Sequence, residues 1–542
     1  MISQLLASLL QYLVNGVRDG IGTRETRKQA IPLEAPPPDS VSLGRIVRSP
    51  FEALSQPDAG PSTLLLSEAM MLRHICMLGG TGVGKTTLLL QILKWQVARR
   101  NAAVCLLDAR GDLVDRVLIG LAHDYTPDEL RERLILIDLR DDTYSVPWNL
   151  LREPGLDAYT RVAMILDVIA AQWDIGVQTL NTLRACLLSL ALTDTEQSLL
   201  EVEPLLVDPA FRRRLLSSVS DMTLLRFWDR FEALPDAQQS QWVEPVLNRL
   251  SAWWSRPVIR NMCSQQTSLS LRQLLDARPD RILLIALAYD TLYADAELAG
   301  NLLITSLLSA VMRTDRPEIA RVPTYLAIDE FENFGGSGRQ FQQVISEGRR
   351  FKIGMCLSHQ SSVQVEPKLR SLIKNVIGTQ IFYSVGGSEA ELLSGEIGSD
   401  EPKAALRHLL MNQQVGECLV VQRGQPYVRL RTSHSPDPVV APEKIAAVRL
   451  GALQNFGRPR AAIEAELIER ETQRQRPSTS APIATPPSSL AQQPNASVSS
   501  TAPSVPPTLP ATVEVRERNE DTPSKIRSAK PSRSRKSKPP PS

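Results

Sequence analysis

Ile75-Cys76-Met77-Leu78-Gly79-Gly80-Thr81-Gly82-Val83-Gly84-Lys85-Thr86-Thr87 is the stretch on which the reading of this chain turns. Its four leading apolar residues suit a strand buried on both faces of a parallel sheet. Glycines at 79, 80, 82 and 84 let the backbone curl tightly, and a helical run follows from Thr87 to Val97. Gly79 to Thr86 fits G-x-x-x-x-G-K-[ST], the loop whose successive N–H groups and following helix N-terminus hold phosphate oxygens. An ordinary glycine-rich turn accounts for the glycines but not for their strand-loop-helix setting. The candidate nucleotide-binding set is therefore Gly79, Gly80, Thr81, Gly82, Val83, Gly84, Lys85, Thr86 and Thr87. Lys85 is expected on the β- and γ-phosphates and Thr86 on Mg²⁺, which makes ATP and Mg²⁺ the expected cofactors.

Kinases and GTPases use such a loop too, so a second acidic site decides the class. Tyr325-Leu326-Ala327-Ile328-Asp329-Glu330 is an apolar strand ending in two carboxylates. In the ATPase form of this chemistry, Asp329 orients the metal shell and Glu330 is the general base that polarises the attacking water. Glu332 reads as a surface carboxylate. A third strand, Lys352 to Leu357, leads into Ser358-His359-Gln360, where Gln360 is placed to contact the γ-phosphate. His359 has no Ser or Asp partner at recognisable spacing and reads as polar lining. Cys356 reads as core.

Seven short apolar runs alternate with longer segments: Ile75 to Leu78, Ala103 to Leu107, Leu134 to Ile137, Ile282 to Leu287, Tyr325 to Ile328, Lys352 to Leu357 and Gln380 to Tyr383. The pattern predicts an α/β fold with a mostly parallel sheet. Amphipathic helices such as Tyr159 to Trp173 and Val177 to Leu192 dominate residues 156–275, an all-helical insertion. The motor domain then comprises 63–155 and 276–450, preceded by a Pro-punctuated linker at 31–62 and followed by a C-terminal helix at 451–476. Residues 1–30 hold an N-terminal helix whose first 17 residues carry no charge and form one apolar face. That face suits a membrane interface, a partner or the protein's own core. Residues 477–510 contain nine Pro and eight Ser, so 477–542 is expected to be a disordered tail.

The chain has 542 residues, about three domains' worth, with 43% hydrophobic and 22% charged side chains. Its six cysteines form no C-x-x-C pair, which suggests neither a zinc site nor a disulfide framework. The net charge is +2, yet residues 525–542 hold seven basic side chains and no acid, leaving −5 for the rest. Affinity for a polyanion must be local.

With these motifs in hand the sequence resembles a known family. The phosphate loop with Arg73-His74 before it, Asp108-Ala109-Arg110-Gly111-Asp112-Leu113, Pro147-Trp148-Asn149-Leu150-Leu151, Pro245-Val246-Leu247-Asn248-Arg249-Leu250, Asp329-Glu330-Phe331-Glu332-Asn333-Phe334 and Ser346-Glu347-Gly348-Arg349-Arg350 through Gln360 resemble the conjugative DNA-transfer coupling ATPases of type IV secretion, in the HerA/FtsK class of ring motors. The resemblance runs over roughly residues 65 to 435. It implies a RecA-like P-loop NTPase that assembles as a homohexamer and translocates DNA, with the helical insertion mounted on the motor. It also implies that Arg349 is an arginine finger reaching the neighbouring subunit's nucleotide, and that Arg73 is a second arginine at the subunit boundary. Asp108 and Asp112 receive no role.

Relatives of this kind usually open with transmembrane helices, whereas this chain offers the 17-residue apolar run, so a cytoplasmic protein with peripheral membrane contact through residues 1–17 is expected. Three functions stay open: a DNA translocase delivering DNA to a conjugation channel with relaxosome and channel partners, a channel ATPase for pilus assembly or protein export, and a nucleotide-gated adaptor without motor activity.

Overall fold

The computed structural model describes residues 39–47, 63–153, 155–313, 321–334, 339–397, 402–433 and 436–475. The expectations for the N-terminal helix and for the tail at 477–542 with its basic end lie outside the described residues. Thirteen strands occur within them: β1 (Ser40–Ile46), β2 (Thr63–Ser67), β3 (Ile75–Leu78), β4 (Ala103–Asp108), β5 (Leu134–Asp138), β6 (Tyr144–Ser145), β7 (Ile282–Ala286), β8 (Thr324–Asp329), β9 (Ile353–His359), β10 (Thr379–Phe382), β11 (Glu417–Gln422), β12 (Val428–Thr432) and β13 (Arg458–Pro459).

Eleven of them form one sheet in the order β2-β1-β12-β11-β10-β3-β9-β8-β4-β7-β5. From β10 to β5 every neighbour is parallel, and these seven strands are the seven apolar runs read from the sequence. Their residues are buried because helices cover both faces, and successive side chains serve opposite cores. In β7, Leu283 and Ile285 pack into one core with the helix Ala294–Met312, while Ile282, Leu284 and Ala286 pack into the other with Leu88 and Ile92 of the helix Lys85–Arg99. The helix Ala294–Met312 is long and apolar enough to cross a bilayer, but here it is a core helix with most of its residues buried.

The remaining strands extend the sheet in antiparallel fashion. Residues 31–62 therefore do not form a plain linker: β1 lies within that range, pairs with β2 and β12, and buries Val41 and Leu43. Its Ser-Val-Ser-Leu alternation is one-faced and brief, and nearby prolines at 36 to 38 hide it. Gly44 sits at a register shift with φ of 148°, where a Cβ would strike the Arg431 carbonyl. The expected single helix at 451–476 is also two helices, Pro442–Phe456 and Arg460–Gln475. Gly457 and Pro459 end the first, and β13 between them pairs with β6.

Between Ala158 and Ala277 the described residues form eight α-helices and one 3₁₀ turn, with no strand. Asp157, Asp208 and Asp221 cap three of the helices through their carboxylates, and Pro209 and Pro257 occupy first-turn positions. Asn149 of the Pro-Trp-Asn-Leu-Leu segment ties this unit to the sheet domain. Its amide donates to the carbonyls of Gln197 (2.7 Å) and Gln266 (2.9 Å), and its oxygen accepts from Leu151 N (3.0 Å).

Beside this junction Glu153 is buried, with Ser270 Oγ donating to it at 3.4 Å. Burial raises its carboxyl from 4.5 to about 7. The folded state thus holds a proton that the unfolded chain releases, so this contribution to stability is complete below about pH 4.5 and is lost as pH rises through 7. Glu153→Gln is expected to flatten the decline in stability between pH 5 and 8, an effect on the order of 2 kcal/mol. Thermal melts across that range test it, and an unchanged slope would contradict the assignment.

Candidate nucleotide site

At the C-terminal end of β3 the chain turns into the phosphate loop, with Gly82 (φ 75°) and Gly84 (φ 118°) in the left-handed region that favours glycine. The helix Lys85–Arg99 starts at once, which places the helix N-terminus over the loop. Lys85 is buried and folds back, its ammonium donating to the carbonyls of Gly79 (2.7 Å) and Gly80 (2.8 Å). Burial lowers its pKa, an effect opposed by the carboxylates of Asp329, Glu332 and Glu330.

The sheet order sets the acids. β9 lies between β3 and β8, so Gln360, just past β9, stands between the phosphate loop and the Asp-Glu pair. Asp329, the last residue of β8, is buried opposite Asp108 of β4. Burial raises the Asp329 carboxyl, Asp108 and Glu330 add to the rise, and Ser358 and Lys85 oppose it. Glu330 takes a left-handed conformation (φ 53°), and its N–H donates to Asp329 Oδ1 at 3.1 Å.

Both carboxylate oxygens of Glu330 are engaged. Gln360 Nε2 donates to Oε1 at 2.7 Å and Arg110 Nε donates to Oε2 at 3.3 Å. The Gln360 oxygen accepts from Thr81 Oγ1 at 3.1 Å. The Gln360 amide therefore connects the phosphate loop directly to the base candidate.

Glu332, expected at the surface, is drawn inward. The 3₁₀ turn Phe331–Asn333 points it at β9, where its Oε1 accepts from Gln360 N at 2.9 Å. Burial raises its carboxyl to about 7. His359 is buried against Phe331, with ring centroids 4.9 Å apart, and burial pushes its pKa down to about 4, so the imidazole is neutral. Cys356 is buried in the core. Asp108, left without a role by the sequence, caps the helix Asp112–Asp124: Oδ2 accepts from Leu113 N (2.8 Å) and Val114 N (3.1 Å), and Oδ1 from Arg110 N (3.1 Å). Asp112 opens that helix.

Arg73 and Arg349 are not brought to this loop. They precede β3 and β9 and lie at the N-terminal ends of those parallel strands, beside a cavity of about 400 Å³ that Arg423 and Ser346 also line. Among the described residues no carboxylate lines that cavity. The phosphate loop and Gln360 lie at the opposite strand ends, a separation of about 20 Å along β9 at roughly 3.3 Å per residue, beyond the reach of an arginine side chain. Sequence reasoning missed Arg110 as a partner of Glu330, although the turn that carries it was singled out. It missed Arg423 because the turn between β11 and β12 reaches Arg73 through sheet pairing: Arg423 N donates to Gly378 O and Gly378 N to Arg73 O.

A strand-loop-helix phosphate cradle, an Asp-Glu pair two strands away and a polar strand tip between them define a RecA-like P-loop NTPase fold. In agreement, residues 59–283 match the family model described as the central domain of helicase HerA. Among solved structures the chain is similar to the bacterial conjugative coupling protein TrwBdeltaN70 in its trigonal form with sulphate (TM-score 0.53, 15% identity, covering 78% of this chain and 98% of that one). It is likewise similar to plasmid coupling protein TrwB in complex with ADP and Mg²⁺ (TM-score 0.51, 15% identity, 76% and 98% coverage). No curated protein matches it in sequence. The resemblance drawn from the motifs thus meets the same class of protein in the comparisons, and the shared feature is the fold.

Proposed function

We propose that this chain is an ATP-hydrolysing DNA translocase that works as a homohexameric ring and delivers DNA to a type IV secretion channel used in conjugation. The observation that carries the ATPase part of the reading is the Thr81–Gln360–Glu330 connection, which links the phosphate loop to the candidate water-activating group. On this reading Lys85 exchanges the Gly79 and Gly80 carbonyls for the β- and γ-phosphate oxygens. The residues present suit Mg²⁺: the Thr86 hydroxyl and the buried Asp329 carboxylate are oxygen donors of the kind it takes. Bound there, Mg²⁺ would neutralise charge on the transferring phosphoryl group. Glu330 takes the proton of the attacking water, and Gln360 signals the presence of the γ-phosphate to it.

The DNA part of the proposal comes from the motif resemblance to DNA-transfer coupling ATPases, and the likeness of fold to plasmid coupling protein TrwB is consistent with it. On this reading the protein works at the cytoplasmic face of the membrane beside channel and relaxosome proteins, and a body of net charge −5 grips DNA through local contacts rather than its whole surface.

The test is ATP turnover with and without single- and double-stranded DNA, alongside the mass in solution. DNA is expected to raise turnover severalfold in a ring-sized assembly. Turnover untouched by DNA would favour a channel ATPase for pilus assembly or protein export. Turnover no higher than that of Lys85→Ala would leave the nucleotide-gated adaptor.

A further inference from the structure

We propose that Glu332 is a positioning residue for Gln360, fixing the strand tip so that its amide can span the phosphate loop and Glu330. The inference rests on the ATPase reading of this site. Three contacts meet at Gln360: its backbone N–H donates to Glu332 Oε1 (2.9 Å), its Nε2 to Glu330 Oε1 (2.7 Å), and its Oε1 accepts from Thr81 Oγ1 (3.1 Å). The two side-chain contacts span residues on separate elements, and neither fixes the backbone from which the amide extends. The first contact does. Gln360 lies just past the end of β9, where the ladder bonds to β3 and β8 no longer hold the chain.

The arrangement carries a cost that packing alone does not explain. Glu332 Oε2 is buried without a hydrogen-bond partner among the described residues, and its carboxyl is raised to about 7, first by burial and further by Glu330, against Lys85 and the N–H donors. Its charge also reaches Cys76 of β3. A third carboxylate beside Asp329 and Glu330 works against placing polyanionic phosphate nearby. A leucine or glutamine at 332 would avoid that repulsion. What Glu332 provides in return is a charge-assisted acceptor for the N–H of Gln360.

The test is steady-state ATP hydrolysis by the full chain for Glu332→Ala, Glu332→Gln, Gln360→Ala and the double variant Glu332→Ala/Gln360→Ala, with a thermal melt of each. Glu332→Ala is expected to lower kcat about tenfold and to move KM for ATP less than about twofold, because the Lys85 grip is untouched. Its melting temperature should stay close to the parent's, since removal of a buried carboxylate offsets the lost acceptor for the Gln360 N–H. Glu332→Gln keeps an acceptor oxygen and should recover most of the lost kcat. In the Gln360→Ala background, Glu332→Ala should add less than about twofold, the mark of two residues acting as one unit. A Glu332→Ala kcat within twofold of the parent, or fully multiplicative effects in the double variant, would overturn the inference while leaving the ATPase reading intact. Absence of turnover in the parent would overturn that reading itself, and this inference with it.

Discussion

Glutamine in place of Glu330 is expected to lower ATP turnover by about three decades while leaving ATP affinity close to the parent's. Glutamine keeps the shape and one acceptor oxygen, so it can hold the contact from Gln360 or the one from Arg110 but not both, and it cannot take the proton of the attacking water. Lys85→Ala should behave in the opposite way. The Lys85 ammonium is the buried cation of the loop, already poised on the Gly79 and Gly80 carbonyls, and without it the phosphates lose their main charge contact, so ATP binding itself should fail. Nucleotide titration separates the two variants, and stopped turnover is common to both. Parental turnover by Glu330→Gln would show that another group activates the water.

The parts of this site that were legible in the sequence are those whose chemistry is written in consecutive residues. The loop Gly79 to Thr87 and the strand ending in Asp329-Glu330 each carry their own context. The seven parallel strands were legible because burial on both faces demands unbroken apolar runs, as in Leu134 to Ile137. The strands β1, β2, β11 and β12 were not. They are antiparallel and partly exposed, and a run such as Val428-Arg429-Leu430-Arg431-Thr432, with one buried residue in five, alternates apolar and polar side chains instead of forming the unbroken apolar run by which the parallel strands were read. Glu332 misled for a different reason: the direction of a side chain in a 3₁₀ turn depends on the backbone that follows Glu330's left-handed turn, and charge alone argued for solvent. The distance between Arg349 and its own chain's phosphate loop followed from strand direction, which needed the sheet itself.

Arg349→Ala should cost about 10³-fold or more in turnover, the scale of an arginine finger supplied in trans. Arg349 lies with Arg73 and Arg423 around a cavity that no carboxylate of the described residues lines, at the strand ends away from the loop. A cluster of guanidiniums with no acid partner among the described residues suits a phosphate-bearing ligand, and the separation along β9 keeps Arg349 from the phosphate loop of its own chain. Arg73→Ala should act in the same direction with a smaller effect, since the resemblance gives it a boundary role rather than the finger itself.

The most direct measurement of a shared site mixes Arg349→Ala with Glu330→Gln subunits, each inactive alone, at concentrations where assemblies form. Some interfaces in a mixed ring would join an intact Glu330 site to an intact Arg349, so partial ATP hydrolysis should return on mixing. Full turnover by Arg349→Ala alone, or no recovery in mixed assemblies of confirmed mass, would contradict a site completed by the neighbouring subunit.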